Sequence, residues 1–173
     1  MELDLSLFGD EHVRRYRETD GEVGFLWNGA PCLVLTTTRK SGDARDTALI
    51  FGQDGDRYLL VASKGGAPEH PYWYRDLAAR PEVELQVKGD RFAAHARTAD
   101  ADEKARLWPI MTAVWPSYDD YQAATERDDR ADDRVGLGCH AHFVHERTVD
   151  LQLAHRQARQ VGQRRIAGAE IVD

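Results

Sequence analysis

The sequence predicts an α+β protein, mainly antiparallel β-sheet with helices packed at intervals along it. Two tight turns, Asp54-Gly55-Asp56 and Lys88-Gly89-Asp90, each join two apolar stretches, and Glu82 to Val87 alternates polar and apolar residues. Asp-Gly tolerates the positive φ of hairpin turns, and period-two alternation marks a half-buried strand. Adjacent strands joined by such short turns form an antiparallel barrel or sheet, which excludes alternating βαβ units.

Taken in order, residues 10–20 read as a short polar helix that stops before Gly21. The β-branched run Cys32-Leu33-Val34-Leu35-Thr36-Thr37-Thr38 is the first strand. Arg39 to Arg45 is polar and glycine-containing, so it reads as a loop or hairpin connection to a second strand at about 46–53. Arg57 to Ala62 is the third strand of a meander. Ser63-Lys64-Gly65-Gly66-Ala67-Pro68 interrupts the pattern, and Pro71 suits the first turn of a helix that runs to about Arg80 and stops at Pro81. Two more strands follow, 82–87 and 91–98. Asp100 and Glu103 have the spacing of a capping box for a helix that continues through Trp108 to about Val114.

The chain has 173 residues, enough for one compact domain with a tail. No stretch approaches the roughly 20 apolar residues of a membrane helix. The first residues, Met1-Glu2-Leu3-Asp4-Leu5, are acidic where a signal peptide is basic, so a soluble, cytoplasmic protein is expected. A net charge of −7 argues against nucleic-acid binding, which needs clustered cations. Two cysteines, Cys32 and Cys139, build no disulfide framework. Cys32 lies in an apolar strand and reads as inert. From Asp128 onward the periodicity disappears, and 128–173 reads as an atypical, charged, poorly ordered extension of a domain spanning 1–127.

Four groups of residues can carry chemistry. Arg39, Lys40 and Arg45 around Gly42 place three cations in a seven-residue stretch, suited to a phosphate or carboxylate, or simply to a solvated hairpin tip. Ser63-Lys64-Gly65-Gly66, between a strand and a helix, offers amides, a hydroxyl and a cation to an anion or flat polar heterocycle; an ordinary glycine turn would look the same. Trp115, Tyr118 and Tyr121 have spacings of three that put them on one helical face, as core packing or as a ligand wall. Cys139-His140-Ala141-His142 with His145 has metal-ligand side chains but no second cysteine pair or acidic ligand cluster, so no metal is expected.

Together these segments resemble the deazaflavin (F420)-dependent nitroreductase family, which includes F420H2-dependent quinone and nitroaromatic reductases. The resemblance rests on Thr36-Thr37-Thr38-Arg39-Lys40-Ser41-Gly42, on Val61-Ala62-Ser63-Lys64-Gly65-Gly66-Ala67-Pro68 with His70-Pro71-Tyr72-Trp73-Tyr74, and on Trp115-Pro116-Ser117-Tyr118 with Tyr121. It spans roughly residues 8–127. It implies a split β-barrel of the flavin-reductase type and an oxidoreductase in which reduced coenzyme F420 gives a hydride to a small electron-poor acceptor, a quinone or nitroaromatic. It further implies that Arg39, Lys40, Gly42 and Arg45 meet the phosphate and acidic tail of F420, with Thr47 beside the phosphate. Ala62, Ser63, Lys64 and Gly65 would border the ring, Trp73 and Asp76 would support it, and Trp115, Tyr118 and Tyr121 would wall the acceptor pocket. The expected partner is a small molecule, with no nucleic acid and no integral membrane segment. Peripheral contact with the inner face of the membrane and a monomer or homodimer remain open.

Three departures from the family pattern stand out. Thr38 precedes Arg39 where relatives carry a glycine, Ala44 and Ala48 replace prolines, and the charged segment after Arg127 replaces a terminal apolar strand. Val135 to Val144, rich in glycine and histidine, is a poor central strand to stand in for it. The rival reading is therefore a non-catalytic or degenerate F420- or flavin-binding protein on the same barrel.

Overall fold

The computed structural model describes residues 5–124 and the backbone of 141–146. Its elements are α1 (Asp10–Glu18), β1 (Leu26–Trp27), β2 (Ala30–Thr38), β3 (Ala44–Asp54), β4 (Arg57–Val61), α2 (Tyr72–Ala79), β5 (Glu82–Val87), β6 (Asp90–Thr98), α3 (Ala101–Val114), α4 (Ser117–Ala124) and β7 (Ala141–Glu146). A single turn of 3-10 helix, Lys64–Gly66, lies between β4 and α2. The sheet order is β1-β2-β3-β4-β7-β6-β5, and an additional β2–β5 pairing closes β2 through β5 into a ring, so the sheet curls round on itself as an antiparallel barrel with β1 outside the ring.

The apolar runs are explained by strands buried on both faces. Along β2, Leu33 and Leu35 point into the barrel with Phe51, Leu60, Val83 and Leu85. Their neighbours Cys32 and Val34 pack outward against Tyr16 of α1. Along β4, Leu60 faces inward while Leu59 and Val61 meet Leu107 and Met111 of α3. Trp73, Tyr74 and Leu77 of α2 also join the barrel core. The capping box forms as the spacing predicts: the Glu103 amide donates to the Asp100 carboxylate at 2.8 Å, and the Asp100 amide donates back to Glu103.

Three differences from the sequence reading have clear physical causes. The first concerns β3, which begins at Ala44 because Thr38 pairs with Ala44, leaving only residues 39–43 as the turn. Arg45 is thus a strand residue, not a loop residue. In the second, Trp115, Tyr118 and Tyr121 do not share one helix. Trp115 caps α3 with φ −141° and ψ 91°, because the residue before Pro116 is driven out of the helical region. The third difference is β7. Ala141–Glu146 lies within the stretch expected to be an extension, yet it pairs with β4 on one side and β6 on the other. Ala141 and Glu146 are weak strand formers, but two open strand edges facing a common gap outweigh this, since each contributes a full ladder of hydrogen bonds. The Cys139–His145 cluster otherwise lies outside the described residues. Among those described, no group of three or more His, Cys, Asp or Glu could hold a metal ion. Nor is any described helix long and apolar enough to cross a membrane.

Candidate functional site

A cavity of about 670 Å³ runs between the β2–β3 hairpin, the segment around the N-terminus of α1, the 63–66 turn and α4. Its polar end is built on the hairpin. The Arg39 amide donates to the Asp43 carbonyl at 2.8 Å and the Gly42 amide donates to Arg39 at 2.9 Å, closing the turn. Gly42 has φ +97°, a conformation glycine adopts without strain, and a Cβ there would meet nothing within 4 Å. Arg45 reaches across to α2, where its Nε donates to Asp76 Oδ2 at 2.7 Å, and its guanidinium lies 5.1 Å from the centre of the Tyr72 ring. Arg80, at the end of α2, donates to the Arg39 carbonyl and ties the turn to that helix. Asp76 therefore acts as a holder of Arg45, one step back from the cavity wall.

The middle of the cavity is the turn after β4. Ser63 is right-handed (φ −70°, ψ −39°) and Lys64 is left-handed (φ 47°), followed by Gly65 and Gly66 at φ 64° and 81°. A right-handed then left-handed pair turns successive amides toward a common point, which suits an anion. The turn closes through the amides of Gly66, onto Ser63, and Ala67, onto Lys64; those of Lys64 and Gly65 take no part in that closure. A Cβ on Gly65 would meet nothing within 4 Å, whereas one on Gly66 would lie 3.1 Å from the Tyr121 carbonyl and 3.3 Å from Ala124 Cβ. The turn is thus open on its cavity side and pressed against α4 on the other. Lys64 Nζ pairs with Glu69 at 3.1 Å in an exposed ion pair.

The far end is aromatic. Trp115 stacks on Trp27 with ring centres 5.6 Å apart, Tyr118 and Tyr121 meet edge-on at 6.2 Å, and Phe8 approaches Trp27 at 6.4 Å. Trp108 donates its indole N–H to Asp119 at 2.7 Å, pinning α4 to α3. Between the two ends the wall is Ala48, Leu49, Ile50, Val61, Cys32 and Trp73. Burial pushes the Cys32 thiol up to about 12, so it stays protonated, in keeping with its reading as inert.

Of the residues singled out in the sequence, Arg39, Arg45, Thr47, Ser63, Lys64, Gly65, Trp73, Trp115, Tyr118 and Tyr121 all line this one cavity. Lys40 and Gly42 lie on the adjoining turn, Asp76 stands behind Arg45, and Ala62 is fully buried in the barrel core. Sequence reasoning passed over Asp46, Tyr72, Trp27, Phe8 and His12, which also line the cavity. Tyr72 adjoins Trp73 in an aromatic run and could have been found there. The others depend on contacts made by α1 and β1, for which the local pattern gives no signal.

Comparison with known proteins identifies the family. Residues 9–129 match the family model of the F420H(2)-dependent quinone reductases. The F420H(2)-dependent quinone reductase Rv1261c of Mycobacterium tuberculosis is 41% identical over 121 residues, covering 67% of this chain and 81% of the relative. A solved F420-H2 dependent reductase, FDR-A, is 32% identical with a TM-score of 0.56, covering 67% of this chain and 94% of its own. A second solved structure, described as a domain-swapped dimer, is 30% identical with a TM-score of 0.58, covering 78% and 96%. The two solved relatives share the split-barrel architecture seen here. The chain belongs to the F420H2-dependent quinone reductase family, oxidoreductases whose hydride donor is reduced coenzyme F420.

Proposed function

We propose that this chain binds F420 along the cavity, with its phosphate and acidic tail at Arg39, Lys40 and Arg45 and its ring against Ser63, Lys64, Gly65 and Trp73. Trp115, Tyr118 and Tyr121 then hold a quinone at the aromatic end. One observation carries the reading: a single cavity joins a cationic turn, an amide-rich turn and an aromatic wall in that order. The donor set fits the cofactor. Guanidinium and ammonium groups suit phosphate and carboxylates, the open space beside Gly65 admits a flat ring, and the apolar middle wall accepts its edge.

When bound, reduced F420 supplies the hydride; the protein supplies position and a dry, polarised site. Asp76 and Tyr72 fix the Arg45 guanidinium before any ligand arrives, so little side-chain entropy is lost on binding. The αR–αL turn presents the Lys64 and Gly65 amides at fixed angles. Trp27 and Trp115 exclude water at the acceptor end, and the Tyr118 and Tyr121 phenols bring polar groups to an otherwise apolar wall suited to a quinone oxygen.

Titration of the full-length protein with F420, followed by cofactor fluorescence with FMN as comparison ligand, tests the binding half. Oxidation of F420H2 by a soluble quinone tests the other. Low-micromolar F420 binding with quinone-dependent turnover is expected, and Lys64→Ala with Arg39→Ala should raise the Kd several-fold. Tight binding without turnover across quinones and nitroaromatics would instead mark a non-catalytic F420 carrier.

A further inference from the structure

We infer that Arg17 of α1 is a positioning residue for the anion-binding end of the cavity, acting by masking the carboxylate of Asp46. The inference rests on the cofactor placement proposed above. Asp46 is a cavity-wall residue set between Arg45 and Thr47 on β3. Its side chain leaves β3 toward α1, on the face opposite to Arg45, so an unmasked carboxylate would act on the phosphate and acidic tail as a nearby negative charge, not by contact.

Both oxygens of the Asp46 carboxylate are engaged. Asp46 Oδ1 lies 3.0 Å from Arg17 Nη2 and accepts from Thr36 Oγ1 at 2.6 Å, while Oδ2 accepts from Arg17 Nε at 3.2 Å. Arg17 is itself locked. Its Nη1 donates to Gln86 Oε1 at 2.8 Å and its Nη2 to Thr36 Oγ1 at 2.7 Å, with Glu84 3.7 Å away. Gln86 is fully buried and anchored in turn to the Lys88 carbonyl. One guanidinium therefore spans β3, β2 and β5, using the fixed fork that lysine lacks. Surface arginines that only bridge a helix to a sheet do not need a buried glutamine to set their angle. Here the geometry holds the positive charge against one particular carboxylate of the cavity wall.

The test is F420 binding by the full-length protein at low and high salt, comparing wild type, Arg17→Met, Asp46→Asn and the double variant. Arg17→Met should raise the Kd roughly three- to tenfold at low ionic strength, the order expected for like charges within a Debye length, and the difference should shrink in high salt. Adding Asp46→Asn should restore the wild-type Kd. An Arg17→Met protein that binds as wild type does, or a double variant as weak as the single one, overturns the inference, the latter by showing a scaffolding or direct-contact role. Wild-type protein that binds no F420 overturns the cofactor placement and this inference together. Should Arg17→Met fail to fold, Asp46→Asn alone decides: it leaves the Arg17 charge uncompensated, so the Kd should fall below wild type at low salt, and an unchanged or higher Kd refutes the inference.

Discussion

Gly65 and Gly66 are neighbours that both have positive φ, at 64° and 81°, and opposite surroundings, which allows a sharp test of how the cofactor turn and the acceptor wall are coupled. Replacing either by alanine places a Cβ on a left-handed residue, which costs about 1–2 kcal/mol and is partly offset by a stiffer unfolded chain. Both variants should therefore lose about 1 kcal/mol, a fall in Tm of roughly 3 °C for a chain of this size. Beyond that they diverge. The Gly65 Cβ enters open space beside the cavity, so Gly65→Ala should weaken F420 binding and leave acceptor KM unchanged. The Gly66 Cβ would sit 3.1 Å from the Tyr121 carbonyl and 3.3 Å from Ala124 Cβ, so α4 must yield by a few tenths of an ångström. Since misplacement by about 1 Å can cost a hundredfold in rate, a shift of that size should raise acceptor KM or lower kcat roughly two- to fivefold with F420 Kd near wild type. The assay is F420 fluorescence titration beside steady-state quinone reduction, with melting curves for both variants. If the two alanines change Kd and KM in the same proportions, the turn and the helix are not separately readable and the reasoning fails.

Other outcomes follow from single residues. Tyr16 is fully buried, donates to the Cys32 carbonyl and accepts from the Lys88 amide, both at 2.9 Å, so Tyr16→Phe strands the buried carbonyl, frees the half-buried amide and should cost about 1–3 kcal/mol by chemical denaturation. The Arg97 guanidinium, with the Asp100 amide assisting, holds the Glu103 carboxyl down at about 2, so this pair stabilises the fold above the ordinary value of 4.5 and its contribution disappears as pH falls from there toward 2. Because the pair is solvent-screened, Glu103→Gln should cost less than about 1 kcal/mol at neutral pH and flatten the acid limb of the stability curve. Cys32, its thiol raised to about 12 by burial, favours the folded state less and less as pH climbs above 9, where the unfolded thiol ionises first. In a Cys139→Ser background, Cys32 should resist a thiol reagent at pH 8 until denaturant is added.

What could be read from the chain was local. The Asp100 and Glu103 spacing, the two Asp-containing turns and the alternation from Glu82 to Val87 each state their structure within a few residues, and the structure contains all of them. The candidate site was legible to the extent that its residues sit in turns and aromatic runs. What was hidden depends on distance along the chain. Nothing near Arg45 announces Asp76, 31 positions away, and nothing near Asp46 announces Arg17, which α1 brings back across the sheet. Residues 141–146 carry weak strand preference; their place is decided by the edges of β4 and β6, elements laid down some eighty and fifty residues earlier.

That last strand makes the barrel a structure completed from its far end. With β7 absent, β4 and β6 present two matched, unsatisfied edges across a gap one strand wide, the template on which another chain can pair. A nascent chain that has emerged only as far as α4 holds most of the apolar core yet cannot seal it, and long-range pairings of this kind are slow to form.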